Sequence, residues 1–173
     1  MKLRIFLILS IVSMLALSAC ANNGQEYNEP EVHVDWEAVP FEEMMSGATD
    51  LVAIGHVTSV EEKEGVDSLL TAQFAQVDIL DVYYGEPKGE SLVLYQSVDK
   101  VKPNASYLFF LKYIPEKNMY VLSDMISKSL ISEGNKATLS EEEKIEVRIS
   151  GIRGNYTQEE LHELFDKYEN SNE

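Results

Sequence analysis

A serine and a lysine three residues apart, in Ser97-Val-Asp-Lys100, could act as a nucleophile and its base. A neutral lysine amine can take the proton of a serine hydroxyl, which then attacks a carbonyl carbon. Enzymes that use this pair hold it on a buried helical turn, together with Ser-Asp-Asn and Lys-Thr-Gly elements. Neither tripeptide occurs here, and the pair follows a predicted strand, so we expect it in a loop. A cell-envelope hydrolase using Ser97 and Lys100 remains an alternative function.

The three histidines do not form a metal-binding pattern. His33 and Asp35 could supply two ligands, but no third ligand follows at metal-site spacing. His56 falls in a predicted strand, and His162 is expected to face solvent on a C-terminal helix. Glycine-rich phosphate loops, nucleophile elbows, zinc motifs and calcium loops are absent from the sequence. The sequence therefore predicts no metal, no cofactor and no enzymatic activity.

The single cysteine, Cys20, ends an apolar segment and follows Leu17-Ser-Ala19. Two basic residues, Lys2 and Arg4, precede that segment. It has about the length of a signal-peptide hydrophobic region and is too short for a permanent membrane span. An ordinary secretory signal would end in an Ala-x-Ala-like site and would need no cysteine. The pattern is typical of bacterial lipoproteins, in which a peptidase cuts before the cysteine.

We therefore expect cleavage between Ala19 and Cys20, with diacylglycerol attached to the Cys20 thiol. Each buried acyl CH₂ adds about 0.8 kcal/mol of membrane affinity, so two or three chains anchor a protein stably. The alternatives are a free thiol at an ordinary cleavage site and a retained transmembrane segment. The predicted location is the bacterial cell membrane, facing outside the cytoplasm. The outer membrane is open in a two-membrane host because Ala21 is not aspartate.

Composition predicts one acidic domain behind a tether. Removing the first 19 of 173 residues leaves 154, which suffices for a single domain with a core. The leader carries two basic residues, so the net charge falls from −16 to −18. Such a surface repels phosphate backbones, and nucleic acid is not an expected partner. Residues 20–35 are polar and lack apolar periodicity, which predicts a flexible tether and a domain spanning 36–173.

The order of predicted elements is a short helix, five to seven antiparallel strands and a C-terminal helical segment. The first strand covers 51–60, with Gly55 at a bend or bulge. In the second strand, 71–84, apolar residues change faces at Ile79-Leu80, which requires an extra residue in the ladder. Further strands are predicted at 91–96, 107–114 and 119–123, followed by a small hairpin at 130–139.

Helical patterns bound this series of strands. A short helix is expected around Phe41, Met44 and Met45. Capping boxes are predicted at Ser140/Glu143 and at Thr157/Glu160, and an apolar stripe follows the second. The stretch 145–149 alternates like a strand and is ambiguous. The long second strand with its change of phase suits a small closed barrel, so the predicted fold class is mainly β (α+β), a small OB-like antiparallel β-barrel.

Three segments resemble bacterial lipoproteins related to the netrin and tissue-inhibitor-of-metalloproteinases domain: Asp50–Val60, Val77–Gly85 and Pro103–Leu111. The third is similar to a "Gly-x-x-Tyr-Leu" strand, with Asn104 at the glycine position. The resemblance covers about residues 48–125 and implies an OB-like barrel. The animal inhibitors bind the protease zinc through a free N-terminal cysteine, whereas Cys20 is expected to be acylated. An inhibitor or immunity protein acting on an extracellular enzyme is a further alternative.

Tyrosines on or beside the predicted strands could mark a binding face: Tyr83, Tyr84, Tyr95 and Tyr107. The middle strands of an OB-like barrel often carry the ligand, and aromatic rings stack on sugars and peptides. Core packing or cross-strand pairing is the alternative role of these rings. The leading functional hypothesis is a lipid-anchored, non-enzymatic module that binds a protein, a peptide or a saccharide.

Overall fold

The computed structural model describes residues 39–64, 71–133 and 144–171. A short α-helix, α1 (Phe41–Glu43), continues as a π-helical turn, Met44–Ala48, and a 14-residue helix, α2 (Gln158–Ser171), ends the described chain. The strands are β1 (Leu51–Glu64), β2 (Thr71–Tyr84), β3 (Ser91–Gln96), β4 (Ala105–Ile114), β5 (Met119–Leu122), β6 (Lys128–Glu133), β7 (Ile145–Val147) and β8 (Gly154–Tyr156). No helix of these residues has the length and apolar character needed to cross a bilayer.

Five of the strands close into a barrel in the order β1-β2-β3-β5-β4, because β4 pairs back onto β1. The neighbouring strands are antiparallel except β3 and β5, which run parallel. β6 pairs with residues 105–109 of β4. The other end of the same edge of β4, residues 111–114, pairs with β5. The architecture is a small OB-like barrel with two short helical segments, which confirms the predicted fold class.

Two apolar cores share β1 and β4. Leu51 and Phe109 lie in the barrel interior, whereas Ile54 and Phe110 face an outer core covered by α1, α2, β7 and the chain that follows β7. Both faces of these two strands are therefore buried. This explains why their sequences read as nearly continuous apolar runs rather than as an alternation of polar and apolar residues.

The predicted bulge in β2 is present. Gly55 of β1 pairs with Ile79 and Ile54 pairs with Asp81, so Leu80 is the extra residue. The bulge returns Val82 to the barrel interior. A second irregularity leaves Tyr83 unpaired and keeps Tyr84 in the outer layer. Leu80, Val82 and Tyr84 therefore do not share a face, because the strand contains two extra residues rather than one.

The C-terminal segment resolves the ambiguous stretch and confirms one capping box. Residues 145–147 form β7, which pairs with β8. Thr157 N–H donates to Glu160 Oε2 at 2.8 Å, and Glu160 N–H donates to Thr157 Oγ1 at 3.2 Å, so α2 begins as predicted. β6 is longer than the first half of the predicted hairpin. The second half of that hairpin and the Ser140/Glu143 box lie outside the described residues.

Candidate functional site: a cleft lined by lysine and arginine

The loop between β3 and β4 is held against the barrel by two buried glutamines. Gln73 donates to the carbonyl of Val101 at 3.1 Å and accepts from its N–H at 3.0 Å. Gln96 accepts from the same N–H at 3.2 Å and donates to the carbonyl of Asp99 at 3.1 Å. Val101 itself is buried in the barrel core. The loop is therefore a rigid wall, although it has no regular secondary structure.

This wall borders a cleft of about 430 Å³. The opposite sides are formed by the start of β6 and by β7 with the residue that follows it. The volume lies within the range of small-molecule sites. The cleft is lined by Asp99, Lys100, Lys102, Tyr107, Lys128, Ser129, Leu130, Glu146 and Arg148.

Lys128 is the most enclosed charged group that lines the cleft. Its side chain is 8% exposed, and its ammonium pairs with the Asp99 carboxylate, whose side chain is 60% exposed. A buried ammonium is costly unless a charge partner accompanies it. Asp99 therefore stabilises Lys128, although the aspartate itself stands largely in solvent.

The other cations form exposed pairs. Lys102 Nζ lies 2.6 Å from Glu133 Oε1, and the hydrogen bond to Glu133 raises the pKa of Lys102. Arg148 Nη2 lies 2.9 Å from Glu146 Oε2, and this hydrogen bond lowers the pKa of Glu146. Exposed pairs of this kind contribute little to stability, so a ligand can recruit these cations at little cost.

Lys100 and Tyr107 complete the lining. Lys100 Nζ lies 3.0 Å from Glu62 Oε1 on β1. Tyr107 is almost fully buried, and its hydroxyl accepts a hydrogen bond from the Lys102 backbone N–H at 3.0 Å. Burial raises the pKa of Tyr107, which keeps the phenol neutral and able to donate its proton. The cleft thus offers ammonium, guanidinium and hydroxyl donors together.

The four tyrosines suggested as a binding face do not share one surface. Tyr107 lies in the barrel core and Tyr83 in the outer core. Tyr84 is half-buried, with its ring centroid 6.1 Å from that of Tyr168, and Tyr95 packs against Phe74 at 5.3 Å. Each of these rings packs against neighbouring side chains, and a binding role for the half-buried Tyr84 and Tyr95 stays a prediction. Tyr107 alone reaches the cleft.

The hydrolase pair lies in the glutamine-anchored loop. Ser97 and Lys100 stand in a bend after β3 rather than on a helical turn, and the Lys100 ammonium faces Glu62. The pair therefore lacks the helical turn on which enzymes of that kind hold these two groups.

Two histidines have defined partners. His56 is buried, with Nδ1 3.0 Å from Ser106 Oγ on the neighbouring strand β4. His162, expected in solvent, is half-exposed. Its ring contacts that of Tyr83 in a tilted arrangement, with 4.5 Å between ring centroids, and its Nε2 lies 3.1 Å from Asp81 Oδ2. Within the described ranges, no three His, Cys, Asp or Glu residues are grouped as metal ligands. His33, Asp35, Ala19 and Cys20 lie outside those ranges.

Sequence reasoning missed the cleft because its cations come from three separate segments. Lys100 and Lys102 belong to the β3–β4 loop, Lys128 begins β6, and Arg148 follows β7. The sequence signal was weak: basic residues are scarce, with 14 in the chain against 30 acidic ones. Nothing in their spacing indicates that four of them meet.

No protein-family model matches the chain, and neither does any of the curated proteins or solved structures with which it was compared. The resemblance to the netrin and tissue-inhibitor-of-metalloproteinases domain therefore remains a prediction. One local feature agrees with it. Asn104, which stands at the motif's glycine position, has φ 57°, a left-handed conformation that glycine and asparagine adopt most readily.

Proposed function

We propose that this protein is a lipid-anchored bacterial lipoprotein whose OB-like barrel acts outside the cytoplasm as a non-enzymatic binding module. The observation that carries the anchor is Leu17-Ser-Ala-Cys20, a small-residue cleavage pattern that ends an apolar leader and contains the only cysteine. The binding role is supported by the cleft, whose 430 Å³ volume and convergent donors suit recognition.

The anchor is tested by metabolic labelling with radioactive palmitate in a bacterial host, followed by intact-mass measurement. Cys20→Ser should abolish the label and leave the precursor uncut. Ser18→Ala is the matched control, because it keeps a small residue at this position and should still be cut and labelled. Equal palmitate incorporation into Cys20→Ser and the unchanged protein would refute the assigned site.

The binding role is tested by pull-down from solubilised cell envelopes, with the chain lacking residues 1–20 as the soluble bait. A protein, peptide or saccharide retained by the bait should compete with excess free bait. An active-site serine probe addresses the hydrolase alternative. Labelling that disappears in Ser97→Ala would favour hydrolysis over binding, and we expect no such labelling.

A further inference from the structure

The charge of the cleft contrasts with that of the whole chain. The chain carries a net charge of −16, yet four of its 14 basic residues line this one cavity, where each is paired with one acidic side chain: Glu62, Glu133, Asp99 or Glu146. A multiply charged polymer would experience the repulsion of the entire acidic surface. A small ligand with one or two charges is governed mainly by the groups that it touches, since salt screens charges beyond about 8–10 Å.

The Lys128–Asp99 pair shows which chemistry the enclosed cation accepts. The Lys128 side chain is almost completely covered, and a carboxylate occupies the position in front of its ammonium. The Asp99 side chain is exposed, whereas the Asp99 backbone carbonyl accepts a hydrogen bond from Gln96. The Asp99 side chain can therefore swing away into solvent without movement of the loop backbone.

We propose that the cleft binds a small organic carboxylate, which replaces Asp99 as the partner of Lys128. Arg148 and Lys102 leave their exposed acidic partners to contact the ligand, and the Tyr107 hydroxyl donates a hydrogen bond to it. A bound carboxylate keeps the Lys128 charge compensated, so the exchange avoids an unpaired buried charge. This inference rests on the proposed binding role of the barrel but not on the lipid anchor.

In this proposal the Asp99 carboxylate competes with the ligand for Lys128, so a change of Asp99 should affect ligand affinity in a characteristic direction. Removing its charge by Asp99→Asn should tighten ligand binding by about tenfold, since a charge-assisted contact no longer has to be broken. A residue that merely supports the fold of the loop would give weaker binding when changed. The sign of the effect therefore separates the two roles.

The experiment is isothermal titration of the full chain, purified in non-ionic detergent, with D-glucuronate and with N-acetylglutamate. These probes distinguish a sugar from an amino-acid source of the carboxylate, and we expect at least one to bind. Glucose should bind at least about tenfold more weakly, because it lacks a charge. Inorganic phosphate, which lysine and arginine also bind, is the competing anion, and weaker binding of phosphate is the result that assigns the site to carboxylates. Lys128→Met should abolish binding, and Lys63→Met, an exposed lysine outside the cleft, should leave it unchanged.

Since Lys128 is buried, Lys102→Met and Arg148→Met serve as exposed second variants, each with an expected several-fold loss of affinity. The proposal is overturned if neither carboxylate binds the unchanged chain or Asp99→Asn, if Asp99→Asn does not tighten binding, or if phosphate binds equally well. Such a failure leaves the pull-down and the Cys20 labelling unaffected. Conversely, an unlipidated Cys20 would not alter affinities measured in the cleft.

Discussion

The imidazole of His162 on α2 lies 3.1 Å from the carboxylate of Asp81 on β2, through Nε2 and Oδ2. Asp81 immediately follows the bulged residue Leu80, and the His162 ring covers Tyr83. The pair therefore joins the C-terminal helix to the part of β2 where the strand changes its pairing. Because of the two bulges, the side chains of Asp81 and Tyr83 both contact α2.

We expect the Asp81–His162 pair to contribute little to stability. Both side chains are partly exposed, so a double-mutant cycle with Asp81→Ala and His162→Ala should give a coupling of about 0.5–1 kcal/mol in urea unfolding. The same cycle with Glu61 and Lys63, a more exposed pair, is the control and should give a smaller value. A coupling above about 3 kcal/mol would contradict this estimate and indicate a buried charge pair.

Replacing Tyr83 should make the stability of the protein less sensitive to alkali. Its buried hydroxyl makes no hydrogen bond of normal geometry among the described residues, but it lies close enough to Asp81 and Gln158 for both side chains to shift its pKa, so Tyr83→Phe should change stability by less than about 1 kcal/mol at neutral pH. Burial and the nearby Asp81 carboxylate raise the pKa of Tyr83 well above its ordinary value of 10. Above about pH 10, Tyr83 ionises in the unfolded state but keeps its proton in the folded state, so the free energy of unfolding falls as the pH rises. Tyr83→Phe should reduce this fall.

Tyr107→Phe is the matched control for Tyr83→Phe. The Tyr107 hydroxyl accepts a hydrogen bond from the Lys102 N–H, so its removal should cost about 1 kcal/mol at neutral pH. Chemical unfolding of both variants at pH 7 and at pH values above 10 makes the comparison. Destabilisation of equal size in the two variants would mean that the Tyr83 hydroxyl has a partner after all.

Gly55 is required by close packing inside the barrel. A Cβ atom there would clash with Val77 Cγ1 and lie 3.3 Å from the Phe109 ring, so Gly55→Ala should cost about 1–3 kcal/mol. Adding Val77→Ala should recover part of that loss, because it removes the clashing methyl group. Gly47→Ala is the control, since no atom of the described residues lies within 4 Å of its added Cβ. Thermal unfolding that does not distinguish the two alanine variants would argue against this packing.

Gln73 should stabilise the cleft wall through its two bonds to Val101. In Gln73→Leu the Val101 carbonyl loses its partner, and we expect a loss of about 1–3 kcal/mol together with faster hydrogen exchange in residues 97–104. Gln76→Leu changes an exposed glutamine of the same strand and should leave both measurements nearly unchanged. Unaltered exchange in Gln73→Leu would show that the loop is held by other contacts.

Local signals in the sequence predicted the elements that depend on local chemistry. The bulge at Leu80 followed from the change in apolar phase, and the start of α2 followed from Thr157 and Glu160. The sequence signal for each feature spans only a few residues, although the bulge itself is formed by pairing with β1. They could be derived without knowledge of the tertiary fold.

Local sequence signals did not predict which side chains fill the barrel interior and which lie under the elements that cover it. Alternation shows that Tyr83 and Tyr107 lie in strands, but it does not show that one ring enters the barrel and the other lies under α2. Likewise, the encounter of Lys128 with Asp99 depends on how the β3–β4 loop meets β6. Such contacts are set by long-range topology, which one sequence does not reveal.

Two joins connect the halves of the barrel: a single parallel ladder pair, Leu94 with Tyr120, joins β3 to β5, and β4 pairs back onto β1. The meander of β1, β2 and β3 and the β4–β5 hairpin can each assemble from neighbouring segments. Leu94 and Tyr120 are 26 residues apart, whereas the paired residues of β1 and β4 are 50–60 residues apart, so chain entropy opposes the β1–β4 join more strongly. We therefore expect folding to finish when β4 pairs with β1, with the two halves of the ring formed beforehand.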